Sequence, residues 1–246
     1  MKYKFYSQLG EDLFIFKNFI NNKVNDGIFV ELGALDGIVF SNSKFFEDEL
    51  GFTGILIEPT IKYNNLIINR PNCKNYNYAI FDKEENVKFI GDDATAGILD
   101  NIPEIMINKF LKGYNEYYVP GIPIKNILNT ENIKYIDIFF IDVEGGEKYV
   151  LDSMDWTIPV YIIVIEMHNI DIEKDNYCRN ILKQNGFNYF KNICVNEVWI
   201  NDKYLWKDRL FDSNKHTNNL NSLDEIGLFP YVENGFISEI INTVNS

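Results

Sequence analysis

At 246 residues, 46% of them hydrophobic and 24% charged, the chain is long enough for one large domain with a full core and too apolar for extended disorder. A formal net charge of −13 leaves it without the basic surface needed to bind a nucleic-acid backbone or an anionic membrane, so neither is an expected partner. Three scattered cysteines, Cys73, Cys178 and Cys194, contain no Cys-x-x-Cys pair and point to neither a disulfide framework nor a structural zinc.

SQLGEDLFIFKNFINN (7–22) spaces Leu13, Phe16, Phe19 and Ile20 as a helix capped by Ser7. Gln8, Glu11 and Asp12 break up what a signal peptide would keep apolar, and no stretch approaches the roughly 20 apolar residues of a membrane span. A cytoplasmic protein is therefore expected. Ile28, Phe29 and Val30 read as a buried parallel strand that ends at Glu31 and runs into a turn bearing Gly33 and Gly37. Open parallel sheets bind ligands beyond the carboxyl ends of their strands, which makes this turn the first site candidate. A helix follows from Ser41 or Ser43 to Leu50, stopping at Gly51, and a second buried strand (54–58) ends in Glu58.

A third strand is expected near 76–80 and another at 87–90, with a loop over GDDATAG (91–97) and a helix over 101–112. Pro120 and Pro123 bar 117–124 from being a central strand, and a short helix should follow at 124–128. YIDIFFI (135–141) and VYIIVI (160–165) are further buried strands, ending in Asp142-Val-Glu144 and in Glu166-Met-His168. A helix over 172–184 and a hairpin of 187–190 with 197–200 complete a doubly wound, mostly parallel α/β sheet. The domain spans 1–212. The tail 213–246, apolar at Leu228, Phe229, Ile237, Ile240 and Ile241, reads as an extension docked on it or as a homo-oligomer contact.

Four strands thus finish at an acid, Glu31, Glu58, Asp142 and Glu166, on one edge of the sheet. The Gly-x-Gly-x-x-Gly that admits a dinucleotide pyrophosphate is absent, which argues against a nicotinamide-dependent oxidoreductase. Glu31 and Asp36 would repel phosphate and attract a cation, so S-adenosylmethionine fits the turn, with Glu58 placed for ribose hydroxyls.

The segments SQLGED (7–12), FVELGALDGIVFSNSKFFE (29–47), GFTGILIEP (51–59), YAI (78–80), IDIFFIDVEGGE (136–147) and IIVIE (162–166) resemble, in order, the FkbM family of S-adenosylmethionine-dependent methyltransferases. The resemblance implies a class I methyltransferase (Rossmann-like) fold with a seven-stranded sheet, and O-methylation of a hydroxyl on a sugar or natural product. Carried onto this chain, it places Gln8, Glu31, Gly33, Ala34, Asp36, Gly37, Ser41, Asn42, Glu58 and Ala79 around the cofactor. Beyond the cofactor stand Asp142, Glu144, Glu166 and His168, read in two ways. Either Asp142 or His168 is a general base, with Glu144 beside it, or Asp142, Glu166 and His168 hold Mg, Mn or Fe(II). The plainer readings are helix capping by Asp142, a satisfied loop histidine at 168, a solvated His216, and ordinary packing for Tyr114, Tyr117 and Tyr118 in place of a sugar platform. A catalytically silent binding module on the same sheet is the rival function.

Overall fold

A computed structural model of the chain describes residues 3–20 and 26–204. The expectations for the tail 213–246 and for His216 lie outside the described residues.

The chain begins with α1 (Glu11–Phe19), β1 (Ile28–Leu32), α2 (Lys44–Leu50), β2 (Thr53–Ile57), α3 (Tyr63–Asn69) and β3 (Lys74–Tyr76). It continues through β4 (Ala79–Ile80), β5 (Glu85–Ile90), β6 (Gly97–Ile98), α4 (Glu104–Phe110) and β7 (Glu116–Ile122). α5 (Ile124–Thr130), β8 (Ile136–Ile141), α6 (Glu147–Ser153), β9 (Val160–Glu166), α7 (Ile172–Gln184), β10 (Asn188–Ile193) and β11 (Asn196–Ile200) follow. The main sheet has seven strands in the order β10-β11-β9-β8-β1-β2-β3. β1, β2, β3, β8 and β9 pair in parallel, and the antiparallel β11 is inserted between β9 and β10. This is the expected mostly parallel sheet with its C-terminal hairpin.

Side-chain alternation along these strands feeds two cores. Phe29, Leu56, Ile138 and Phe140 face α1 and α2 through Ile15, Phe16, Phe45 and Phe46. Val30, Ile55, Phe139 and Ile163 face the other way, against Ile127 of α5, Val150 of α6 and Leu182 of α7. Burial on both faces is why these strands read as unbroken apolar runs.

Three local expectations are corrected. The first helix starts at Glu11 with Gly10 in the N-cap position, while Ser7 sits before it in a bridge with Phe40, its hydroxyl donating to the Asp12 carboxylate (2.6 Å) and accepting from the Asp12 N–H (3.3 Å). The strand expected near 76–80 is two strands: β3 closes the main sheet, whereas β4 opens a second sheet of order β4-β7-β5-β6. Within that sheet, 116–122 does lie between two neighbours despite Pro120. β4 meets only Gly121 and Ile122, so no strand stands opposite Pro120 on that side and its missing N–H costs nothing there.

Candidate active site

A cavity opens beyond the carboxyl ends of β1, β2, β8 and β9 and is roofed by the second sheet and α4. Of the residues expected around a cofactor, Gln8, Gly33, Asn42, Glu58 and Ala79 line it; so do Asp142, Glu144, Glu166 and His168. Glu31, Ala34, Asp36, Gly37 and Ser41 do not, and their surroundings explain why.

The Glu31 side chain points away from the cavity into the turn that follows β1. Its carboxylate accepts from the Asn42 backbone N–H (2.7 Å), the Ser41 hydroxyl (2.9 Å) and the Ser43 hydroxyl. Asp36 folds back on its own loop, accepting from the Ile38 and Val39 N–H groups at 2.9 and 2.8 Å. The centre of this turn is Arg70, fully buried at 0% exposure. Its guanidinium donates to the Gly37 carbonyl (3.0 Å), Ser41 Oγ (3.1 Å) and Ser43 Oγ (3.0 Å), pairs with Glu47, and lies 4.0 Å from Glu31. A Cβ on Gly37 would come within 2.6 Å of Arg70 Cγ, so this glycine makes room for the arginine. Gly33 likewise answers to the protein: a Cβ there would sit 2.1 Å from the Asp142 carbonyl oxygen, and its φ is +75°. Both glycines are needed for close packing. Arg70 has no motif around it and went unrecognised in the sequence.

Two acceptors remain in the cavity wall near the ends of β1 and β2. Asn42 Oδ1 is buried in the cavity wall with no hydrogen-bond partner. Glu58, just past β2, accepts from the Leu35 and Thr60 N–H groups at 2.9 and 2.8 Å, which fixes its carboxylate at the cavity edge. Burial holds its pKa above the ordinary carboxylate value against those hydrogen bonds. Beside them Leu32, Ile57, Ile80 and Phe89 give an apolar wall. An acceptor pair next to an apolar slot, in an acidic cavity, fits the ammonium, ribose and adenine of S-adenosylmethionine.

The opposite end gathers the acids of β8 and β9. Burial, then the charge of Glu166, pushes the Asp142 carboxyl well above its usual range. Glu144 is pushed up by burial and by Glu166 and Asp142. In Glu166 burial is outweighed by the His168 imidazole, which holds the carboxyl below its usual value. The Glu166 charge in turn raises His168 against its own burial. Glu144 takes a positive φ of +50°, and its Oε2 stands 4.0 Å from His168 Nε2. The tyrosines offered as a sugar platform stand elsewhere: Tyr117 donates to the Gly91 carbonyl (2.6 Å), and Tyr114 and Tyr118 are exposed. Phe89, Met106 and Phe110 line the cavity in their place, which their sequence context did not signal.

The model of the methyltransferase FkbM domain matches residues 31–190, well over half of the chain. The chain belongs to the FkbM methyltransferase family. Solved structures with a similar fold include the fibrillarin pre-rRNA processing protein of Methanococcus jannaschii (16% identity, 79% of this chain and 74% of that one, TM-score 0.43). Fibrillarin of Aeropyrum pernix with natively bound S-adenosyl-L-methionine (13%, 79% and 73%, TM-score 0.41) and a precorrin-6y C5,15-methyltransferase of Geobacter metallireducens (12%, 72% and 80%, TM-score 0.38) are also similar. Curated proteins give no match. As an FkbM domain the chain has the class I fold and is an S-adenosylmethionine-dependent methyltransferase. Among the described residues no helix is long and apolar enough to cross a membrane.

Glu11 at the rim of the cavity gives the FkbM domain a pH-dependent stability. It is 2% exposed, accepts from Asn196 Nδ2 (2.6 Å) and the Leu9 N–H (3.0 Å), and burial raises its pKa from 4.5 to about 7. Between those values the unfolded chain releases this proton while the folded chain keeps it. The contribution is therefore complete below pH 4.5 and is lost as pH rises to about 7. Glu11→Gln is expected to match the parent at pH 4 and to exceed it by about 3 kcal/mol at pH 8 in denaturant unfolding. Equal stabilities at pH 8 would show that Glu11 ionises in the fold without penalty.

Proposed function

We propose that this domain transfers a methyl group from S-adenosylmethionine to a hydroxyl of a saccharide, free, glycan-bound or nucleotide-linked. The observation that carries the reading is the polarity of the cavity. Asn42 and Glu58 stand at one end with unspent acceptor capacity, and Asp142, Glu144, Glu166 and His168 cluster at the other. The bound cofactor supplies an electrophilic methyl on a sulfonium. What remains for the protein is to aim a hydroxyl at it and to ease removal of the hydroxyl proton. Asp142, Glu144 and His168 line the acceptor end, where a hydroxyl donor finds buried, electron-rich partners. Met106 and Phe110 offer an apolar wall against which the C–H face of a sugar ring packs. The choice of a saccharide follows the family resemblance.

Methyl-labelled cofactor incubated with a saccharide panel tests this directly: label is expected in alkali-stable ether linkages. Label on nitrogen or in alkali-labile esters would overturn O-methylation, and cofactor binding with no transfer to any glycan would favour a silent binding module. Glu58→Ala is expected to weaken cofactor binding by about 1–3 kcal/mol in calorimetry. An unchanged affinity would remove Glu58 from the ribose-binding role.

A further inference from the structure

One ligand atom each from Glu144, Glu166 and His168 lies within 4.8 Å of the others at the acceptor end of the cavity. His168 Nε2 is 3.0 Å from Glu166 Oε2 and 4.0 Å from Glu144 Oε2. Despite that closeness, Glu166 Oε2 and both ring nitrogens of His168 are buried without a hydrogen-bond partner. The Glu166 side chain is only 9% exposed and its Oε2 meets the His168 imidazole as an ion pair, while His168 Nδ1 is buried with no hydrogen-bond partner, which carries a desolvation cost. The close approach gathers two carboxylates and an imidazole around one space. Two ligands about 2.1 Å from one ion at right angles are about 3.0 Å apart, the separation of His168 and Glu166.

We propose that Glu144, Glu166 and His168 form a divalent metal site of the Mn(II) or Fe(II) kind. One imidazole with two carboxylates suits such ions better than the sulfur-rich or all-oxygen sets that select zinc or calcium. Asp142, which lines the same end of the cavity, is the outer group placed to orient a ligand carboxylate. It was expected from the sequence to be a ligand itself, and Glu144 takes that place. Three protein ligands leave coordination positions open toward the cavity. Resting on the methyltransferase reading, those positions take hydroxyl oxygens of the acceptor and lower their pKa, which favours acceptors carrying two adjacent hydroxyls.

The test titrates metal-free full-length protein with MnCl2 alone, reading the free-ion electron paramagnetic resonance signal, and separately with S-adenosylhomocysteine by calorimetry. One saturable Mn2+ per chain is expected, weakened by about tenfold or more in Glu144→Gln and in His168→Gln, each with a parental circular dichroism spectrum. Absence of saturable binding up to millimolar Mn2+ overturns the site, as does Mn2+ binding indifferent to both substitutions. Glu144 and His168 lie past the ends of different strands, β8 and β9, so His168→Gln keeps the test decisive should Glu144→Gln fold poorly. Mn2+ binding retained without S-adenosylhomocysteine binding would uphold the metal site and reject the methyltransferase reading, so the two fail separately.

Discussion

Arg70→Met is expected to destabilise the domain by about 3–5 kcal/mol in denaturant unfolding and to abolish tight cofactor binding. The guanidinium is fully buried and reaches Gly37, Ser41 and Ser43 of the β1–α2 turn and Glu47 of α2. Methionine fills comparable volume, so the loss is of charge and donors and leaves little cavity. What it leaves behind is Glu31, whose carboxyl burial already raises against the opposing effect of Arg70, and a Gly37 carbonyl without that donor. The turn carries Asn42, and the orphaned Oδ1 of Asn42 is one of the two acceptors offered to the cofactor. Stability and affinity should therefore fall together. Arg70→Lys keeps the charge without the planar fork and should recover only part of both. A loss below about 1 kcal/mol for Arg70→Met would mean that the turn is held mainly by its backbone.

Gly33→Ala is expected to cost at least about 3 kcal/mol, or to prevent folding outright. The added methyl would lie 2.1 Å from the Asp142 carbonyl oxygen, where the backbone leaving β8 passes the end of β1. Relief requires one of two central strands to move, and each is paired on both sides. Gly33 and Ala34 also donate to the Ile57 carbonyl at 3.0 and 3.2 Å, tying the turn to β2. Gly10 provides the comparison. Its φ of +87° is similar, but a Cβ there meets nothing within 4 Å. Gly10→Ala should therefore show only left-handed backbone strain, about 1 kcal/mol. If the two variants lost equal stability by thermal or denaturant unfolding, the close approach of Asp142 would not matter.

The central sheet was legible because its strands are buried on both faces and so appear as apolar runs ending in acids. Glu58, Asp142 and Glu166 do converge on one cavity, as strands of a parallel sheet ending on one edge must. Glu31 was misplaced for a reason that pattern cannot show. It is the fourth residue of β1, and alternation turns it toward the α1–α2 side together with Phe29, where Arg70 and the Ser41 and Ser43 hydroxyls enclose it. Arg70 follows α3, whose sequence, YNNLIIN, carries no sign of a charged centre; only tertiary approach makes it one. The second sheet was partly hidden by Pro120, a sound reason to doubt a central strand, which failed because β4 is too short to reach it. Glu144 stands beside His168 from a left-handed backbone conformation, one that non-glycine sequence rarely announces.

A cavity that takes a cationic, phosphate-free adenosine cofactor should select against a dinucleotide. Calorimetry of the full-length protein with S-adenosylhomocysteine and with NAD+ under identical conditions tests it. One molecule of S-adenosylhomocysteine per chain with no measurable NAD+ binding is the expected result; NAD+ binding without S-adenosylhomocysteine binding would contradict it.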